Sequence, residues 1–232
     1  AGALLVLLTA HEMTRAEAPL AVAVACGRHL AAKARRGAAG ACWPVQVATQ
    51  PLLGFAHGAA GIGGALARLG RTVTGHDEFG GEAAGFLRLA REAFAFERAS
   101  YEKVRGWPDL RQAPAQYPLA WCHGAPGMIL PRLRAWQISG DATLLKEAHT
   151  AIASTRNNLF NNTGNFSLCH GLCGNADTLF TAGVVLNDAS LMKTAGEAAR
   201  FGIEKVADYN MAWPSGVSDP MGSNSVYENV SL

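Results

Sequence analysis

Apolar residues along this chain fall into two kinds of run, and the difference between them predicts the architecture. Residues 58–69, 124–136 and 171–186 are short, almost uncharged stretches rich in Gly, Ala and Leu, each opening on a glycine. A helix that is apolar all round must be covered all round, so these three read as inner helices. Residues 17–36, 79–103, 141–158 and 188–207 instead carry charge at helical spacing, which predicts outer helices with one face in water. The punctuation agrees. Asp141 and Asp188 stand at N-cap positions, Gly37 and Gly70 at C-terminal ones, and Pro108, Pro114 and Pro118 interrupt the segment before Trp121. No segment alternates convincingly as a strand would, and the apolar run over residues 1–10 reads as the end of another buried helix. Inner and outer helices in alternation make an all-α array, either an open solenoid or a closed α/α toroid.

Each inner helix is entered through a short segment that bears chemistry: Gly54-Phe55-Ala56-His57-Gly58, Trp121-Cys122-His123-Gly124 and Leu168-Cys169-His170-Gly171. Cys122 lies far in sequence from the Cys169-His170 pair, so only the fold could bring them onto one ion. Three protein ligands from separate segments suit a catalytic zinc site with an open fourth position better than a structural site with four. Adjacent Cys169 and His170 would diverge by about 100° on a regular helix, so they must sit in a non-helical entry turn. In a closed ring the entry ends of the inner helices converge on a centre, whereas in an open solenoid repeats two apart stand too far from each other. The dispersed donors therefore favour the toroid. Cys26 and Cys42 read as small hydrophobes. Cys173 is an additional candidate donor, since its spacing from Cys169 would put both on one face of a helix that began early.

Composition narrows the partners. The 232 residues, 49% hydrophobic and 16% charged, can bury a substantial core in one domain. A formal charge of +2 with no long basic run gives no footing for nucleic acid or an anionic membrane, and the Arg35-Arg36 and Arg132/Arg134 pairs read as solvated faces. The run at the start is too short to span a bilayer. Five cysteines, an odd number, argue against a disulfide framework, so a reducing, cytoplasmic setting is expected.

The motifs Gly-Phe-Ala-His57-Gly-Ala-Ala-Gly, Gly106-Trp-Pro-Asp-Leu-Arg111, Trp121-Cys-His-Gly-Ala-Pro-Gly127 and Asn165-Phe-Ser-Leu-Cys-His-Gly171 together resemble the lanthionine synthetase C-like cyclases. Their wording is most similar to the C-terminal cyclase domain of the class II lanthipeptide synthetases. The resemblance implies a double ring of inner and outer helices, with residues 1–232 a partial cyclase domain incomplete at both ends. It also implies that apolar Leu4, Leu5, Val6 and Leu8 lack a partner. Zinc would be held by Cys122, Cys169 and His170, and His57 matches the family's acid/base histidine. His123 replaces a tyrosine of some stand-alone cyclases and would face the substrate or back the metal ligands. The family's catalytic aspartate would lie upstream of Ala1, and the arginine that some members carry four residues before the first cysteine is Pro118 here. The implied partner is a dehydrated precursor peptide, with a dehydratase region upstream in the parent chain.

Physical chemistry leads the same way. Two thiolates and a neutral imidazole leave a Zn²⁺ site uncharged, so a substrate thiol bound there is deprotonated yet stays nucleophilic. Its addition to a dehydrated Ser or Thr builds an enolate that needs a proton at carbon, and a histidine can move one near neutral pH. The expected activity is thus zinc-dependent closure of lanthionine and methyllanthionine thioether rings. The alternatives are a related zinc thiol enzyme acting on glutathione or dehydrated protein residues, and a non-catalytic peptide-binding toroid.

Overall fold

A computed structural model describes residues 1–46, 48–111, 113–161 and 165–209. Over these residues the chain forms four helical hairpins: α1 (Gly2–Thr14) with α2 (Glu17–Lys33), α3 (Ala59–Val73) with α4 (Ala83–Ala99), α5 (Ala125–Ser139) with α6 (Ala142–Asn157), and α7 (Leu172–Leu186) with α8 (Ala189–Tyr209). In each hairpin the first helix packs on the second. The first helices also pack on one another in the order α1, α3, α5, α7, giving an inner row backed by an outer one, the arrangement of an α/α toroid. Among the described residues no helix is long and apolar enough to cross a membrane.

Composition explains the close inner row. Gly63 and Gly64 lie on α3, and a Cβ on each would come within 3.0 Å of the Ala93 side chain on α4 and 2.9 Å of the Pro131 side chain on α5, respectively. Gly70, expected to end this helix, instead lies inside it, because α3 runs on to Val73 and a Cβ at Gly70 would strike Leu87 at 2.7 Å. It is a packing glycine, not a stop signal. Two apolar clusters result. One joins Leu4, Leu8, Leu20, Leu66, Leu69, Phe86 and Phe94, the other Met128, Ile129, Leu133, Ile152, Leu172 and Leu179, and Phe96 and Trp136 pack against both. Leu4 and Leu8 are thus fully buried within the first cluster, contrary to the expectation that they lack a partner; Val6 is 69% exposed.

Two further corrections concern the segment after α2. The helix ends at Lys33 and not at Gly37, and residues Arg35–Gly37 (β1) and Gly40–Cys42 (β2) form a small antiparallel hairpin pairing Arg35 with Cys42 and Arg36 with Ala41. Strands of three residues are too short to show an alternating pattern. Gly40 adopts φ +121°, a conformation glycine reaches without strain, and it sits where a Cβ would meet the Glu92 carbonyl at 2.2 Å. Elsewhere the helix signals hold. Asp141 caps α6 by accepting from the Thr143 amide at 2.8 Å, and Asp188 accepts from the Ser190 amide at 2.9 Å at the start of α8.

Candidate functional site

The entries to α3, α5 and α7 share one sequence pattern, and α3 and α7 share one backbone turn, with Gly58 at φ −112° and Gly171 at φ −118°, whereas Gly124 at α5 takes φ +107°. Aligned on their glycines, Phe55-Ala-His57-Gly-Ala-Ala-Gly61, Trp121-Cys-His123-Gly-Ala-Pro-Gly127 and Leu168-Cys-His170-Gly-Leu-Cys-Gly174 put the three histidines in register. They also put Ala56, Cys122 and Cys169 in register. The last glycine of each turn is a steric requirement: a Cβ on Gly61, Gly127 or Gly174 would lie 2.0, 2.1 or 1.8 Å from the carbonyl oxygen of Phe55, Trp121 or Leu168. Hydrogen bonds repeat too. Ala59 N donates to Leu52 O as Leu172 N does to Asn165 O, and Gly61 N to Gly54 O as Gly174 N does to Ser167 O. The required non-helical turn before Gly171 is therefore present, and its counterpart recurs at α3.

Neighbouring turns are tied by their backbones. Cys122 N donates to Cys169 O at 3.1 Å, and Ala56 N donates to Cys122 O at 3.3 Å. Gly54 has no room for a side chain because a Cβ would lie 2.6 Å from the Cys122 carbonyl. At the equivalent leading positions the rings of Phe55 and Trp121 meet at 4.7 Å between centroids. The chemistry-bearing side chains are thereby gathered at the entry end of the inner helices.

Cys122 and Cys169 come together. The half-buried Cys122 thiol is pushed up to about 12 by burial, then by its hydrogen bond to Cys169 and the charge of that thiol; the nearby Arg111 guanidinium works the other way. His57 is exposed and its ring centroid lies 6.0 Å from that of buried His123. His123 pairs Nδ1 with the Leu53 carbonyl at 3.3 Å, while its buried Nε2 has no hydrogen-bond partner. Burial, then the charge of Arg111, lowers its pKa, so both disfavour the charged ring. His170 is half-buried at the turn, with its amide bonded to Ser167 Oγ at 3.3 Å. Among the described residues, no three Cys, His, Asp or Glu side chains stand close enough together to hold a metal ion. The donors nevertheless fit zinc in kind: two soft thiols that interact with each other, with an imidazole next in sequence to one of them. Cys173 packs against the second apolar cluster and its thiol is raised by burial, as for a core residue. Cys26 packs against the first cluster, and half-buried Cys42 directs its thiol to the Arg35 carbonyl at 3.6 Å.

The sequence reading gave no role to three charged side chains at or behind this end. Arg111 is clasped by Asp109, Nε to both carboxylate oxygens at 3.0 Å and Nη2 to Oδ2 at 2.5 Å. It interacts electrostatically with both Cys122 and Cys169. Burial works to raise the Asp109 carboxyl, but the Arg111 side-chain and backbone hydrogen bonds hold it below its ordinary value. Glu97, on the outer helix α4, is 0% exposed and accepts from the amides of Gly54 at 2.9 Å and Ala60 at 2.7 Å. Arg132 was expected on a solvated face but is also 0% exposed, since it bridges Glu97 at 3.5 Å and Glu147 at 2.9 Å. Arg35, Arg36 and Arg134 are exposed as expected. The Gly106-to-Arg111 motif was visible, and its acid–base pair two residues apart was the available signal. Glu97 offered none, because charge on an amphipathic outer helix reads as solvent-facing; for Arg132 the available signal was a charge within the run 124–136, which otherwise reads as an inner helix.

Comparison with known proteins fits this geometry. The lacticin 481/lactococcin biosynthesis protein LcnDR2 of Lactococcus lactis subsp. lactis is 28% identical over 134 residues, which is 54% of this chain and 14% of that protein. A solved structure of nisin cyclase shares the fold with a TM-score of 0.52 at 21% identity, covering 70% of this chain and 41% of that one. The match thus spans about a seventh of the first relative and about two fifths of the second. The lanthionine synthetase C-like protein family matches residues 1–228, and with its toroid-type helical hairpins and paired cysteine turns the chain belongs to that family.

Proposed function

We propose that this chain is the cyclase part of a lanthipeptide synthetase, closing lanthionine and methyllanthionine rings in a dehydrated precursor peptide supplied by an upstream dehydratase region. The observation that carries the reading is the meeting of Cys122 with Cys169 beside a turn that presents His57 to solvent. Cys122, Cys169 and His170 would hold zinc, which when bound keeps an incoming thiol in its thiolate form near neutral pH.

The reaction needs one bond made and one proton moved. Substrate sulfur adds to the β-carbon of a dehydrated residue, the C–S bond forms as the π bond opens, and the electron pair passes to the α-carbon and its carbonyl. A proton then joins the α-carbon, balancing the one the thiol gave up. His57, exposed on the turn whose Ala56 amide bonds to the Cys122 carbonyl, is the group that moves this proton. Arg111 favours negative charge on sulfur, and Asp109 fixes its direction. Buried His123, hydrogen-bonded to the Leu53 carbonyl, backs His57 and holds its turn against the neighbouring one.

The test uses the full-length parent protein and a synthetic peptide carrying one dehydroalanine and one cysteine. His57→Asn should keep its zinc and slow ring closure by about 10²–10⁴-fold, the range for a positioned acid/base group. Full-speed closure by a zinc-loaded His57→Asn protein would remove His57 from the mechanism. Preferential addition of free glutathione over ring closure would favour the glutathione-directed alternative.

A further inference from the structure

The structure assigns Glu97 as the residue that positions the His57 turn: one carboxylate oxygen, held from the outer helix, fastens both ends of the loop that presents His57. This rests on the reading of His57 as the acid/base group. Oε1 accepts from Gly54, three residues before His57, and from Ala60, three residues after it. The turn is thus stapled at both ends to a single atom. That atom belongs to a side chain that is 0% exposed.

The need for such a staple follows from the turn itself. Ala60 is the second residue of α3, so its amide is among the donors that a helix start leaves without an intrahelical partner. In the repeat at α5 the equivalent residue is Pro126, which has no N–H to satisfy. At α7 the amide equivalent to that of Gly54 is Ser167 N, and it is met locally by Asn165 Oδ1 at 2.9 Å. Among the described residues, the α3 turn is the one seen to draw these bonds from a side chain on another helix. A negative group at a helix N-terminus is also favoured by the helix dipole.

Glu97 is itself braced. Its second oxygen faces Arg132 at 3.5 Å, Arg132 reaches Glu147 at 2.9 Å, and Glu147 pairs with Arg98. The Arg132 guanidinium lies over the rings of Trp107 and Phe94 at 5.2 and 5.5 Å. These residues come from α4, α5, α6 and the segment between α4 and α5, so the staple is anchored in the joint between two hairpins. A buried group with this many fixed partners sets position tightly. An error of about 1 Å in a reacting group is enough to cost about 10²-fold in rate.

Two variants of the full-length protein separate positioning from stability. Glu97→Gln keeps an oxygen within reach of both amides but loses the charge that faces Arg132. Glu97→Asp keeps the charge but withdraws the oxygen by one methylene. With the dehydroalanine–cysteine peptide, Glu97→Asp should lower kcat by about 10²-fold with KM little changed and zinc retained. Glu97→Gln should lose no more than a tenth as much rate while being the less heat-stable of the two. Hydrogen exchange in Glu97→Asp should rise at Gly54 and Ala60 and stay unchanged in the body of α4 and α5. Rates that instead fall in step with Tm would overturn the assignment and leave Glu97 as a stabilising residue only. If Glu97→Asp does not fold, wild-type exchange decides. Amides of Gly54 and Ala60 as slow as the interior of α3 support the staple, and fast exchange at both overturns it. His57→Asn closing rings at full speed would fail the underlying reading separately, whatever these variants do.

Discussion

The backbone amide of Cys122 donates to the carbonyl of Cys169 at 3.1 Å, so two cysteines far apart in sequence are held together by main chain as well as by side chains. These main-chain bonds hold the turns together without drawing on the candidate ligand side chains. Zinc should bind to a folded scaffold instead of folding it. Full-length protein should carry one zinc, Cys169→Ala should lose most of it, and helical circular dichroism should be unchanged by chelation. Loss of the helical signal on chelation would show that the metal holds the fold.

Arg132 should be among the most sensitive core positions. Its removal leaves Glu97 buried and uncompensated, and breaking a buried pair costs about 3–5 kcal/mol. Urea unfolding of Arg132→Ala should show a loss of that order, several times that of the exposed Arg134→Ala. A loss under about 1 kcal/mol would mean that water or a shifted neighbour compensates Glu97.

Arg111 should matter for rate more than for folding. Arg111→Gln should slow cyclisation roughly tenfold, less than the 10²–10³ of a buried oxyanion donor, because its side chain is 43% exposed. Arg111→Lys should not restore the rate, since an ammonium cannot reproduce the two-pronged grip on Asp109. Rate profiles with the dehydroalanine–cysteine peptide check both variants.

Asp109 sets a pH dependence with a definite sign. Its folded pKa is depressed by Arg111, so its contribution to stability is present above the unfolded value, about 3.9, and is lost as pH falls through the lower folded one. Asp109→Asn should be less stable than wild type near neutrality, and the difference should shrink as pH falls below about 4. A difference that grows towards acid would reverse the assignment.

Much of this was legible in the sequence because it was local. Uncharged Gly/Ala/Leu runs gave α3, α5 and α7, charge at helical spacing gave the outer helices, and Asp141 marked its own cap. The chemistry-bearing turns were also legible, being short and distinctive. Interactions between helices were not. Gly70 looks like a stop signal until Leu87 is seen beside it, and Glu97 and Arg132 look solvated until each is found to be the other's partner. The common register of the three histidines was present in the sequence, but its meaning lies in carbonyls packed against Gly61, Gly127 and Gly174, which spacing alone does not reveal.

The central claim is that the Cys122 and Cys169 turns build a thiol-activating cyclase site. It is tested most directly by following free thiol and mass together for the dehydroalanine–cysteine peptide, with full-length protein and with its Cys122→Ala/Cys169→Ala variant. Ring closure consumes the thiol without changing the mass. The account predicts rapid, mass-neutral thiol loss with the wild type and only the uncatalysed rate with the double variant. Equal rates from the two proteins would contradict it.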